Sequence, residues 1–448
     1  MERLGDELAT IDLGDKRLNA RALLLAERMA AAPTKSIPTA CHGWAETQAA
    51  YRLLDTEGID AWSVLDPHIR CTEQRMRACP IVLCLQDTTS LDYNGQQIEG
   101  LGPIQYEPEK GMFLHPTYAV TPEREPLGVL DCWTWARGKK DRHGQRPPDI
   151  IESQRWLDGY ERVAEVAASM PDTRLVYVGD READMLPLIK KARELGHPAD
   201  YLVRSRNDRT LPDKTKLWAT VLETPTLGEL SFVLERRRGQ KRREVRQRLH
   251  VSRVAVPDGR SRTKTVEVTC LVAREIDTPP GVKPVEWRLL TNRAVTNVED
   301  AVQLIDWYRA RWEIEMYFDV LKNGCKVESL QLKTMPRLEL ALALYMVVAW
   351  RINRLMRLGR ACPELPADLL FETEEWQAAY LLHDKPVPKT PPPLQEVVRL
   401  VASLSGFLGR KGDGEPGART IWDGLEQIAV CVRGMKFAAA RLSPGGLV

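Results

Sequence analysis

No apolar run in the 448-residue chain reaches the ~18 residues that a membrane-spanning helix needs. The first residues, with Glu2, Arg3, Asp6 and Glu7, also lack the apolar core of a secretory signal. Both absences lead to the expectation of a cytoplasmic protein with no membrane partner. The nine cysteines, at 41, 71, 79, 84, 132, 270, 325, 362 and 431, form no C-x-x-C and have no histidine spacing suited to zinc, which leaves reduced thiols as the plain reading. Net charge is nearly absent as well. With 64 basic residues against 62 acidic ones, a formal +2, any nucleic-acid surface has to be a local patch. There is no internal repeat. What remains is an ordinary globular composition, 43% hydrophobic and 28% charged, in a chain too long for one core; typical domain sizes suggest about two to four units.

Residues 1–75 read as a helical N-terminal domain, because LNARALLLAERMAAA and WAETQAAYRLLD carry apolar residues at three-to-four spacing on either side of Pro33 and Pro38. From about residue 80 the period changes. IVLCLQD, FLHPTYAV and PLGVLDCWTW are short β-rich runs punctuated by Gly, Pro and Asn, and a sheet is expected to begin there. A helical stretch over 150–169, the apolar run RLVYVGD, the helix-like MLPLIKKARELG and the strand-like YLVRS follow, an order that argues for a mixed α/β core over 76–358. Within it, 206–284 returns to β character over a length that suits an inserted subdomain rather than a loop. Helices resume near 298; 359–393 reads as a helical segment ending in the stiff linker KPVPKTPPP, and 394–448 as a helical C-terminal domain interrupted by GRKGDGEPG.

Three carboxylates stand out. IVLCLQD ends on Asp87 and RLVYVGD ends on Asp180, and buried strands that finish on an acid place it at the sheet end where ligands of α/β proteins bind. Taken singly, an aspartate after a strand is more often a helix cap or turn former than a catalytic acid. In the helical run WYRARWEIEMYFDVLK, Tyr308, Arg311, Glu315 and Lys322 fall within a ~60° arc, whereas Glu313 points about 160° from Glu315 and should be nearly silent to substitution. A solvated face with i,i+4 ion pairs is the plain structural reading of such a stripe. Brought together, three acids would repel unless a hard divalent cation neutralised them, and Mg²⁺ or Mn²⁺ held in that way suits in-line phosphoryl transfer.

The spacing Tyr308-x2-Arg311-x3-Glu315-x6-Lys322, with QDTTSLDY around Asp87 and VGDREAD around Asp180, resembles the insertion-sequence-four family of bacterial cut-and-paste DDE transposases, the group of the Tn-five type. LGDKR near the start, AYR at 50–52, VRS at 203–205 and VEWRLLT at 285–291 extend the resemblance over the whole chain in order. It implies an RNase H-like mixed-sheet core with a β insertion, flanked by helical domains. It also implies a bacterial, nucleoid-associated DNA transposase that binds the terminal repeats of double-stranded DNA, cleaves both strands through a hairpin and joins the 3′-hydroxyl ends to target DNA.

By the same resemblance Asp87, Asp180 and Glu315 would be the catalytic metal ligands for Mg²⁺ or Mn²⁺. Tyr308, Arg311, Lys322 and Arg204 would contact DNA, and Trp287 would stack on a flipped base, although an aromatic in VEWRLL is otherwise an ordinary strand residue. Two subunits would pair two DNA ends in a synaptic complex, with the C-terminal domain dimerising. The run 235–250 carries eight Arg or Lys against two Glu, so Arg237, Lys241 and Arg242 are candidate phosphate contacts, against the plain reading of a solvated hairpin. Lys16, Arg17, Arg21, Lys35 and Arg52 are N-terminal candidates. Asp319, on the stripe at about 20°, and Asp92 are acids that the resemblance does not explain, and Asp184 reads as a helix-start acid. The alternatives are an RNase H-like nuclease that does not join ends and a non-catalytic DNA-binding regulator. A haloacid-dehalogenase phosphatase would need an acid at position 89, which is threonine.

Overall fold

The computed structural model describes residues 4–105, 108–138, 151–234, 242–259 and 264–442. Its strands are β1 (Ile81–Gln86), β2 (Thr89–Asp92), β3 (Gly111–Val120), β4 (Pro126–Trp135), β5 (Arg174–Gly179), β6 (Asp200–Arg204), β7 (Gly228–Leu234), β8 (Arg243–Pro257), β9 (Thr265–Ile276) and β10 (Glu286–Thr291). They form one sheet in the order β2-β3-β1-β5-β6-β10-β9-β8-β7, with β4 also paired to β3. β1, β5 and β6 are parallel, and β3 runs against β1. This is the mixed α/β core that the order of apolar runs predicts, with the mixed sheet that the resemblance implies.

Near-continuous apolar strands are buried on both faces because successive side chains point to opposite sides. Val82 and Cys84 of β1 join Leu175, Tyr177 and Val203 in one core, under the helices Gln154–Ala168 and Leu186–Glu194. Leu83 and Leu85 join Val176, Val178 and Leu202 in the other, under the N- and C-terminal helices. Gly159 lets the first of these helices sit tight, since a Cβ there would lie about 2.2 Å from the Gln86 amide.

The inserted strands do not close on themselves. β10 pairs with β6 and β9 pairs with β10, so β7 to β9 extend the core sheet sideways. Their long-range pairing leaves no trace in local periodicity.

The N-terminal helices form where expected, with Asp15 capping Lys16–Ala31 and Asp60 capping Ala61–Arg77. That last helix runs straight through residue 75, the expected domain boundary, and packs on β4 and on the helix Met335–Ala361. Its fully buried His68 pairs with Glu7 at 2.5 Å and meets the Trp350 ring edge-on, so the terminal helices and the core share one interior. Met335–Ala361 is apolar nearly all round because it is enclosed by helices from both ends of the chain. No helix among the described residues is long and apolar enough to cross a membrane.

The proline-rich stretch is pinned where it ends: Pro366 bridges Pro393 and the Leu394 N–H bonds the Leu365 carbonyl at 2.6 Å. A Cβ on Gly324 would meet the Trp422 ring at 2.8 Å, which seats the C-terminal helix Ala418–Leu442 closely against the core.

Candidate active site

β1 and β2 both pair with β3 in a single register, Gln86 opposite Thr117 and Thr89 opposite Leu114, so Asp87 and Thr88 are a two-residue break in one extended run. Pro116, which has no N–H to donate, stands opposite Asp87 in that register. β1 and β5 run in parallel with Leu85 beside Val178. Carried two residues on, the register sets Asp87 beside Asp180 at the ends of neighbouring strands, which lie about 4.8 Å apart in a sheet. The chain turns sharply after Gly179, where a Cβ would be 2.5 Å from Ala183, and Asp180 Oδ1 accepts the Glu182 N–H at 2.7 Å. Asp87 Oδ1 likewise accepts the Thr88 N–H at 2.8 Å.

The third carboxylate arrives on a helix capped by Asn297. It runs Val298–Ala310, breaks at Arg311, resumes over Trp312–Asp319 and widens into a π turn at Val320–Gly324. The stripe expected on one uninterrupted helix is therefore split. Arg311 and Glu315 still share a face, and the guanidinium bridges Asp87 Oδ2 and Glu315 Oε1, each at 2.5 Å. Tyr308 is buried at 7% exposure; burial raises its pKa while Arg311 and Arg204 pull it back. Lys322 reaches β2 instead, donating to the Ser90 carbonyl at 2.5 Å with Glu328 at 3.6 Å. Trp312 is 49% exposed beside the site.

The neighbouring acids separate clearly from the trio. Glu313 points away as expected, but it is buried and ion-paired with Arg357, so the expectation of near-silence under substitution does not hold for stability. Asp184 caps no helix: the next one starts at Leu186 with Met185 as its cap. It is buried against Arg209 at 2.5 Å and accepts the N–H groups of Arg206 and Asn207, which fixes the loop after β6. Asp319 is exposed and accepts from Asn323, and Asp92 accepts from Asn94.

Burial pushes the Asp87 carboxyl up to about 6, with Asp180 and Glu315 adding to the rise and Arg311 opposing it. Among the described residues no three His, Cys, Asp or Glu side chains are gathered closely enough to hold a metal ion, and Arg311 stands between two of the acids as their counter-charge. The donor set itself, carboxylate oxygens only, fits a hard divalent cation.

Beside the trio lies an open pocket of about 470 Å³ lined by Arg181, Arg204, Arg206, Trp218, Trp287 and Arg288. Trp287 stacks on Phe232, with ring centroids 5.6 Å apart, and is half-buried. Arg288 lies over Trp218 at 3.8 Å, and Arg204 donates to the Glu286 carbonyl at 3.4 Å. Trp218, on the helix Leu217–Leu222, and Arg206, in the loop after β6, carried no periodic or motif signal of their own, whereas Arg288 follows Trp287 within VEWRLLT.

Of the other candidates, Arg17 and Arg52 are exposed and Arg21 is half-buried. Lys35 is 3.3 Å from Glu426 on the C-terminal helix. Arg237 and Lys241 lie outside the described residues, and Arg242 is exposed at the start of β8. Among the described residues of that basic run, Arg243 faces Glu275, Arg246 faces Asp277 at 2.8 Å and Arg248 faces Glu229 at 3.5 Å, so part of its charge is neutralised within the sheet.

Three family models match the chain in order. A transposase DNA-binding model covers residues 2–59, a transposase DDE domain model covers 155–351, and a Transposase Tn5 dimerisation domain model covers 347–445. A solved structure titled as a piggyBac transposase synaptic complex with hairpin DNA is similar over 95% of this chain and 82% of its own, at 11% identity and a TM-score of 0.39.

Proposed function

From the premise that the chain is a Tn5-like DDE transposase, a metal-dependent enzyme that binds DNA and dimerises, we propose that Asp87, Asp180 and Glu315 are the residues that cut and join DNA. The observation that carries this is the meeting of two strand ends and one helix: Asp87 and Asp180 in neighbouring register, with Glu315 tied to Asp87 through Arg311. In this reading the trio holds Mg²⁺ or Mn²⁺, and the ions, when bound, activate the attacking hydroxyl and stabilise the leaving oxygen of an in-line displacement.

The side chains around the trio then have distinct tasks. Arg311 exchanges its two carboxylates for the phosphate flanking the scissile bond, which its planar fork matches in the same bidentate way. Tyr308 and Arg204 back it from the buried side, and Lys322 adds a second cationic contact on the β2 side. Trp287 lines an arginine-rich pocket whose size and mixed aromatic and cationic lining suit one unstacked nucleotide, as a hairpin intermediate requires. The double-stranded terminal repeats are bound by a homodimer that pairs two ends.

The test supplies a purified dimer with a pre-cut transposon end and a target plasmid. Strand joining in Mg²⁺ or Mn²⁺, abolished by Glu315→Ala, supports the proposal; cutting of uncut ends without any joining would make the protein a nuclease instead.

A further inference from the structure

Arg155 opens the helix Gln154–Ala168, nearly buried with 9% of its side chain exposed, and has no part in the roles given above. Its guanidinium lies near the faces of Trp135 and Trp156, at 4.9 and 5.3 Å, and also bonds the Glu152 carbonyl. Two further bonds matter most. Nε donates to Thr88 Oγ1 at 2.9 Å, and Nη2 donates to Glu182 Oε2 at 2.7 Å. These two partners are the residues whose backbone N–H groups hold Oδ1 of Asp87 and Oδ1 of Asp180. One rigid fork therefore spans the two strand ends, one residue past Asp87 and two past Asp180. Thr88 is steadied from its other side by His115, 2.9 Å away, and the imidazole lies 3.2 Å from the Gln86 amide. Burial, then Arg155, holds that imidazole well below its usual pKa and so uncharged.

We propose that Arg155 is a positioning residue that sets the separation and orientation of the Asp87 and Asp180 carboxylates by clamping Thr88 to Glu182. The inference rests on the reading that these aspartates hold the divalent ion. Groups that orient ligating carboxylates typically change metal affinity or activity by about 10–100-fold when removed. A lysine could keep the charge but has no fork with which to hold both partners.

The experiment titrates Mn²⁺ into the full-length protein bound to a transposon-end duplex, reading free Mn²⁺ by electron paramagnetic resonance, with nicking and Tm measured on the same samples. Glu182→Ala changes a side chain that is 55% exposed and leaves Arg155 its bonds to Thr88 and the Glu152 carbonyl, and Tm on the same samples checks that the variant is folded. Thr88→Val opens the other arm without removing a charge, which separates positioning from a simple electrostatic loss. We expect each variant to need roughly 10-fold more Mn²⁺ for half-saturation and for half-maximal nicking. The double variant should do little worse than either single one, because a clamp fails when one jaw opens; Arg155→Lys should not restore the wild-type curve. Mn²⁺ curves for Glu182→Ala and Thr88→Val that overlay a normal wild-type curve would overturn this role alone. A wild-type complex that binds no Mn²⁺ would overturn the carboxylate reading and this inference together.

Discussion

Glu313 and Glu315 are two residues apart, and alanine at each should fail in opposite ways. Glu313 has 6% of its side chain exposed, and its two carboxylate oxygens take both prongs of Arg357, one at 2.8 Å. Truncating it leaves a guanidinium facing a buried gap. Removing one partner of a buried pair costs ~3–5 kcal/mol, and the lower end applies because Arg357 keeps 22% exposure and can recruit water. A loss of about 3 kcal/mol should lower Tm by roughly 3 °C, because ~2.1 cal/mol/K of unfolding entropy per residue over 448 residues makes the melt steep. Folded Glu313→Ala protein should still nick DNA at a near-normal rate. Glu315→Ala removes a partly exposed acid, relieves repulsion on Asp87, and should leave Tm within about 1 °C while abolishing nicking. Differential scanning fluorimetry and a single-turnover nicking assay on both proteins read the contrast. The double variant Glu313→Ala/Arg357→Ala should recover part of the lost stability, as coupled partners do. An unchanged Tm for Glu313→Ala, or wild-type nicking by Glu315→Ala, would refute the division of labour between the two acids.

Asp87→Ala and Asp180→Ala should likewise abolish cleavage with end binding intact in a mobility-shift assay; chelator should stop nicking, and Ca²⁺ should support assembly without efficient cutting. Trp287→Ala should nick normally but lose hairpin product through a stacking loss of ~1–3 kcal/mol, with a stability cost of roughly 2 kcal/mol, below that of a fully buried tryptophan; equal depression of nicking, hairpinning and Tm would leave packing on Phe232 as its only role. Although burial alone would raise the Glu7 carboxyl, His68 and Arg75 bring it down from 4.5 to about 2. Its contribution, about 3 kcal/mol at ~1.4 kcal/mol per unit, is present above pH 4.5 and lost as the pH falls toward 2. Urea melts of Glu7→Gln should be flatter than wild type across that window, and parallel curves would discount the pair.

Asp87 and Asp180 were legible because a short, mostly apolar strand followed by an acid is a local signal, and parallel neighbours in register then set the two acids side by side. Glu315 was separable from Glu313 by helical phase alone, and the split at Arg311 does not disturb that, since the two acids lie in the same helical segment. Other features depend on partners distant in sequence. Arg155 is a single arginine at a helix start, whose meaning comes from Thr88, 67 residues earlier, and Glu182, 27 residues later. Asp184 looks local but is claimed by Arg209, and Lys35 looks like a free cation but faces Glu426, 391 positions away (426 − 35). The insertion was legible as β structure, but its attachment was not, because the pairing of β10 with β6 is a choice of edge that strand periodicity does not encode.

That attachment limits how the protein can be shortened. Because β6 is covered by β10, which is covered in turn by β9, excising residues 206–284 would leave β10 without its outer neighbour, and a larger cut would bare β6 itself. Either truncation exposes a row of unpaired backbone groups on a strand lined with Leu202, Val203, Leu289 and Leu290, the kind of open edge that recruits other chains. A miniaturised enzyme made this way would be expected to aggregate; a compact version would need a designed, charged edge strand in place of the one removed.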